Sequence, residues 1–526
     1  MNQSKVANLF GASIFFVAAA AHGQAPPRGA APPPAAPAPA AAPAAAAPAP
    51  AAAAAPAAAP AATQAPQAPD AGMTQLPTGT QAPATPPPMA GTGPAAAAPP
   101  PAPPAESAKP PVPAAVPVTS KFKATVYGMA EFDIMHDSTQ SFGESVGATV
   151  IQREDTYAGT HGRTHFTTRN SRLGVKVSAP EYEGIKATAV LELDFFGNQP
   201  PTVSEASLVS NGTFRLRQAN IKVESDYVDV VIGQTYHLFG WQPFFFPATT
   251  SFFPVMNQVF GRMPQLRVGH TFKSDPVNFE LAAAAVKPPQ RDSEIPDIQA
   301  GLRFGVNGWK GIHTLGAGGM LIDPLTIGVS GALRHFKVAE HTAAPIYSRS
   351  ATGYGISVDA LIPIIPASAL DDPGNALTLT GSFFSGTGIA DMVGVANNVP
   401  NPPLPDGAAY TPNIDNGLAV YDANGNLKTI GWRGMMVGLQ YYLPPSGRVS
   451  ISANYTQGWS DRITAENGYS ALRTAFSESR YIDGNLFVDI TPAVRAGLSF
   501  QRSEQTFADD VTATNERFKL SLYSFF

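Results

Sequence analysis

Three sets of residues in this chain have the types and spacing for chemistry. The run Gly143-Glu144-Ser145-Val146-Gly147 matches the G-x-S-x-G pattern of a hydrolase nucleophile, which works only on a strained turn from a strand into a helix. Here the run lies in polar loop sequence with no helical periodicity behind it, so no catalysis is expected. His161 and His165 are four apart. On a strand this puts them on one face but about 13 Å apart, too far to share a metal. No H-E-x-x-H, EF-hand or P-loop pattern occurs, and no metal or cofactor is indicated. The third set is ionic: Arg172, Lys176, Lys186, Arg267, Arg303 and Arg334, with Glu192, Asp194 and Asp297 among them. Arginine stays ionised and grips a carboxylate through two parallel hydrogen bonds, so a ladder of such cations would guide small anionic solutes and release them at each rung. The plainer reading is that these charges pair with one another on a solvated wall.

The elements that position them are strands. Phe122, Ala124, Val126, Gly128, Ala130, Phe132 and Ile134 share one face, with Lys123, Thr125, Tyr127, Glu131 and Asp133 on the other. A period of two held for more than ten positions exceeds the usual soluble strand and suits a tilted bilayer crossing of about 9–11 residues. The pattern returns about 16 times, an even number as single-chain bacterial barrels require. Its last instance puts Phe518, Leu520, Leu522 and Phe526 on the apolar face, opposite Arg517, Lys519, Ser521 and Tyr523. This strand is expected to pair antiparallel with the first, near Tyr127, and leave no edge in lipid. Short turns such as Asp275-Pro276 alternate with long polar stretches such as 139–164 and 390–428, and a phase change near Arg217 predicts a bulge there or a face packed on another subunit.

The chain has 526 residues, a formal net charge of -5, 14% charged residues and no cysteine. This composition argues against nucleic acid as a partner and against a disulfide framework. Beyond the N-terminus no apolar run reaches the roughly 18 residues of a membrane helix. Residues 1–24 read as a signal peptide, with Lys5 ahead of an apolar core and small residues at its end. Residues 25–119 are almost wholly alanine and proline, too poor in bulky side chains for a core, and read as a disordered periplasmic extension that would reach peptidoglycan as a spacer, or as passive low-complexity sequence. Residues 120–526 form the third part: an all-β, transmembrane antiparallel barrel in outer-membrane lipid.

Thr168-Arg169-Asn170-Ser171-Arg172-Leu173-Gly174-Val175-Lys176 resembles the S-R-L-G-x-K signature of general bacterial porins, and Thr125-Val126-Tyr127-Gly128, Arg217-Gln218-Ala219 and Ile232-Gly233-Gln234 extend the likeness. Gly386-Thr387-Gly388-Ile389 and the proline-rich leader look most like the DcaP-like trimeric porins. The resemblance implies a 16-stranded homotrimer for diffusion of small hydrophilic solutes, with carboxylates or dicarboxylates in its DcaP-like branch. It also implies that residues 237–265 are an inward-folded third loop, with Trp241, Phe244, Phe245, Phe246, Phe252 and Phe253 packed on the inner wall rather than on a neighbouring subunit. In such porins the loop carries acids opposite a basic wall. Here it has none, and Arg262 is its only fixed charge, so a positive constriction and anion preference are expected. The competing reading is a barrel that mainly anchors the N-terminal arm.

Overall fold

The structure is a computed structural model. It describes residues 121–526 except 147–149, 199–211, 252–253, 291–293, 315–319, 369–371, 402–403, 405–406, 409, 411–412, 423, 465–466 and 470, and except the side chains of 312–314 and 320–323. The expected signal peptide and extension, with Phe252 and Phe253, lie outside the described residues.

Among the described residues seventeen segments form one antiparallel sheet. They begin with β1 (Lys123–Asp137), β2 (Arg163–Thr167), β3 (Arg172–Ser178), β4 (Lys186–Asp194), β5 (Arg215–Glu224) and β6 (Asp229–Tyr236). There follow β7 (Arg262–Lys273), β8 (Val277–Val286), β9 (Asp297–Thr314), β10 (Met320–Ala339), β11 (Ser348–Ile365) and β12 (Leu377–Thr387). A separate hairpin of β13 (Ala419–Tyr421) and β14 (Leu427–Thr429) precedes β15 (Gly431–Tyr442), β16 (Val449–Trp459), β17 (Phe476–Thr491), β18 (Val494–Phe507) and β19 (Thr512–Phe525). Both β2 and β3 pair along β1, from Asp137↔Arg163 to Lys123↔Ser178, so they are two halves of one wall strand and the ring counts 16. It closes where β1 meets β19, from Met129↔Phe525 to Asp137↔Arg517. No sheet edge is left unpaired there, as a membrane interior demands.

The burial pattern is that of a protein turned inside out. Val126, Ile221, Leu333, Leu498 and Phe518 stand exposed on the outer wall, while Glu131, Asp133, Arg217, Gln299, Asp483 and Lys519 are buried within. Connections such as 225–228, 274–276 and 492–493 share one end of the ring with the C-terminus, and the loops 138–162, 237–261 and 388–430 share the other.

At the loop end an apolar cluster packs inside the ring. Phe142, Val146 and Ile151 of the first loop pack with Phe239, Met256 and Val259 of the loop 237–261, with Met392, Val399 and Leu418 of the loop 388–430, and with Ile463 and Tyr469 beyond β16. Polar ties hold this mass: Arg153 grips Asp509 with two hydrogen bonds of 2.7 and 2.8 Å and stacks on Phe507 at 4.3 Å. Those bonds hold the Asp509 carboxyl below the usual carboxylate range.

Candidate functional site

The loop 237–261 crosses the lumen. It leaves β6 through Gly240 and Trp241, both at positive φ (77° and 44°). Backbone amides of Leu238 and Phe239 donate to Gln299 Oε1 at 3.0 and 2.9 Å, and that of Gly240 donates to Ser330 Oγ at 2.8 Å. Two wall glycines make room for the indole: a Cβ on Gly301 or Gly328 would lie 2.8 Å from Trp241 ring atoms. The ring nitrogen donates to Val329 O at 3.1 Å. Farther along, the Ala248 carbonyl accepts from Ser452 and Asn454 at 2.8 Å each, that of Thr250 from Lys519 at 3.3 Å, and that of Ser251 from Asn170 at 2.9 Å. On the return, Asn257 donates to Thr456 Oγ1 and Ser479 O and accepts from Ser479 Oγ at 2.6 Å. The loop is thus fastened to β9 and β10 on one side and to β16, β17 and β19 on the other. Trp241 and Phe245 are buried within this chain, while Phe244 and Phe246 are half-buried.

The inner wall along β3 to β7 carries an arginine patch. Between Glu192↔Gln218 and Leu193↔Leu216 the register of β4 and β5 slips by one residue, and Arg217 is the extra one. This bulge turns Arg217 and Gln218 to the same side, as a two-against-one count requires. Arg217 Nε then reaches Glu192 Oε1 at 2.6 Å, Nη1 reaches Asp194 Oδ2 at 3.0 Å and Nη2 reaches the Tyr236 hydroxyl at 3.1 Å. Arg215 closes on the same Asp194 at 2.6 and 3.0 Å, and the Tyr127 hydroxyl donates to Glu192 at 3.1 Å. Arg172 lies across from Asp194 in register. Arg262 lies across from Tyr236, with its guanidinium 5.7 Å from that ring and 5.5 Å from the Phe260 ring. Two guanidiniums, Arg215 and Arg217, therefore share two carboxylates, with Arg172 and Arg262 on the neighbouring strands, and the loop presents Phe246 and Phe260, their centroids 5.7 and 6.1 Å from that of Tyr236.

From this patch a cavity of about 520 Å³ opens toward the short-turn end, between Trp241, Pro243 and Phe244 on one side and Lys186, Lys222, Arg267, Lys273 and Arg303 on the other. Sequence reasoning missed Arg215 and Arg217. The phase change pointed to the bulge, but not to the carboxylates it serves.

Other expected cations are placed differently. Arg334 does not line open lumen: it is buried, bound to Asp297 at 2.9 Å and to Asp391 at 2.8 Å, beneath the loop 388–430. A buried guanidinium needs such partners, and Asp391 arrives from a loop the strand pattern does not describe. Arg303 is paired with Glu280 and stacks on Phe244 at 3.7 Å. Lys186 is exposed at the turn end near Glu181, and Lys176 is exposed on the face of Arg172. Arg267 hydrogen-bonds Tyr236 O at 2.6 Å and Gln265, with no carboxylate among the described residues. His161 does not share a strand with His165; it follows the helical turn Tyr157–Thr160, which its ring stacks against. Ser145 sits in irregular loop rather than at the end of a strand, and Glu144 beside it is held by Arg169.

The described part of the chain aligns along its length with the outer membrane channel DcaP of Acinetobacter baumannii, at 16% identity and a TM-score of 0.54, covering 77% of this chain and 97% of that one. The barrel has the porin fold. Porins also include the anion-selective porin from Comamonas acidovorans (11% identity, TM-score 0.45, 77% of this chain and 100% of that one) and OprB of Pseudomonas putida (11%, 0.41, 77% and 94%), both too distant to support more. No protein-family model matches the chain, and no curated protein does.

Proposed function

We propose that the chain is an outer-membrane porin, a diffusion channel for small hydrophilic solutes that prefers anions, carboxylates and dicarboxylates first. One observation carries this reading: Arg172, Arg215, Arg217 and Arg262 gather around only two carboxylates, Glu192 and Asp194, on the inner wall, and the loop 237–261 adds no acid. Guanidiniums stay ionised and bind carboxylates in pairs of parallel bonds, so the positive charge that Glu192 and Asp194 leave unbalanced is available to an anionic solute. By the usual asymmetry of such barrels, the short turns face the periplasm and the long loops face outside. Residues 1–24 would then be a signal peptide, residues 25–119 a periplasmic spacer in reach of peptidoglycan, and the working form a homotrimer.

The apolar mass at the loop end favours a second reading, a largely plugged barrel that anchors this spacer. Single-channel recording separates the two. Steady conductance with a reversal potential of anion sign in a KCl gradient, moved toward neutrality by Arg262→Ala, is expected. Cation preference indifferent to Arg262→Ala and Arg267→Ala would overturn the anionic reading, and silence in every bilayer would favour the anchor.

A further inference from the structure

The outer wall carries its loop-end charges unevenly. On β17 to β19 the outward charges pair off: Arg480 with Glu478 at 2.7 Å, and Arg502 with Glu504 at 2.8 Å and with Glu516 at 3.0 Å. Beside β11, β12, β15 and β16 the pairing is looser, with Arg433 3.9 Å from Asp461 and Lys428 4.0 Å from Asp422. There a cavity of about 370 Å³ opens on the outer face, lined by Lys428, Arg433 and Arg462, with Asp461 the only carboxylate among its described lining residues.

Register fixes its side and height. Ser385, Arg433 and Trp459 stand directly across from one another on three adjacent strands, and Tyr354 faces Thr387 one row above. Toward the turn end the next row is Phe383, Met435 and Gln457, and the one after is Gly381, Val437 and Tyr455. Arg433 therefore sits about 7 Å beyond the row of Phe383 and Met435, and Tyr354 and Trp459, residues whose ring and polar edge suit a membrane boundary, line the cavity with it. Arg433 lies 3.9 Å from Asp461, and Lys428 lies 4.0 Å from Asp422. Both distances are too long for hydrogen bonds, so the donors remain available.

We infer that this cavity holds the phosphorylated headgroup of a lipid in the leaflet at the loop end. The guanidiniums and the lysine bind phosphate oxygens, and the acyl chains lie along Phe383, Val437 and Leu439. The inference rests on the barrel spanning a membrane and is independent of what the lumen conducts. A free phosphate offers the same oxygens but gains nothing from the apolar rows below.

The test is native mass spectrometry of the detergent-solubilised barrel with phosphatidic acid, diacylglycerol or inorganic phosphate. A phosphatidic acid adduct is expected, with none from diacylglycerol. It should be about tenfold weaker or more in the barrel carrying Lys428→Gln, Arg433→Gln and Arg462→Gln together, and unchanged in one carrying Arg480→Gln and Arg502→Gln. Heat-modifiable gel mobility certifies that each variant is folded; should the triple variant fail to fold, Arg433→Gln alone takes its place. An adduct equally strong in the folded variant, or competed away by inorganic phosphate at equal concentration, overturns the inference. Conductance of the same preparations tests the channel separately: a conducting barrel without the adduct defeats only the lipid site, and a silent barrel with it defeats only the channel.

Discussion

Arg217 and Arg262 share a patch but hold it in different ways. Arg217 is buried and answers Glu192 and Asp194 together. Arg217→Ala strips a paired charge from a covered site, and such losses are worth about 3–5 kcal/mol. The barrel should unfold in detergent at a clearly lower temperature than the parent, as read by heat-modifiable gel mobility. Arg262 makes its described contacts to the faces of Tyr236 and Phe260, worth roughly 0.5–1 kcal/mol. Arg262→Ala should therefore leave the melting almost unmoved while shifting the reversal potential. If the two variants gave the same pattern, the division into a structural and a selective arginine would be wrong. Asp509 has a pH signature. Its folded-state carboxyl is held low by Arg153, so the stabilisation is complete above the ordinary carboxylate value of about 3.9 and fades as pH falls through the lower folded value. Pepsin cleavage within residues 138–162 should rise as the pH falls below that range, and Asp509→Asn should show the raised cleavage at milder pH as well.

At the scale of elements, the loop 237–261 depends on two flat places in the wall. Gly301→Val or Gly328→Val would drive a side chain into the Trp241 ring, where even a Cβ would lie 2.8 Å from ring atoms. Displacement of the loop should alter single-channel conductance and raise its noise, and an unchanged trace from both variants would show that the loop does not set the pore. The strands themselves were legible in the sequence because a lipid-facing strand repeats every second residue, and the bulge was legible because Arg217 breaks that repeat. Trp241 and Phe245 of the loop 237–261 are buried, as side chains so apolar require. The partners were not legible. Nothing along the chain announces that Asp391 will fold back onto Arg334, or that one Asp194 will serve two arginines, because such pairings are settled by three-dimensional closure and leave no local period. The break between β2 and β3 was equally silent, since Thr168 to Ser171 interrupt one wall strand with a register change against β1 of a single residue, from Asp133↔Thr167 to Met129↔Arg172.

For the whole molecule, closure rests on a few terminal contacts. Gly128 N donates to Phe526 O at 2.9 Å, and Phe526 N donates back to Gly128 O at 3.2 Å. Removing Phe526 deletes both bonds at the seam, and membrane assembly should fall, measured as the yield of heat-modifiable barrels. A yield equal to the parent's would place the closing energy elsewhere, in the register Met129↔Phe525 to Asp137↔Arg517. The apolar mass at the loop end has a temporal implication. Its members run from Phe142 to Ala513 and meet only when strands from both ends of the chain already stand side by side. Contacts so distant in sequence bear the full entropy of loop closure before they return any stability. The ring must therefore form first and its stopper condense afterward. Refolding from denaturant should pass through a barrel that already runs at the heat-modifiable position on a gel while protease still cuts its long loops, with resistance arriving in a later, slower phase.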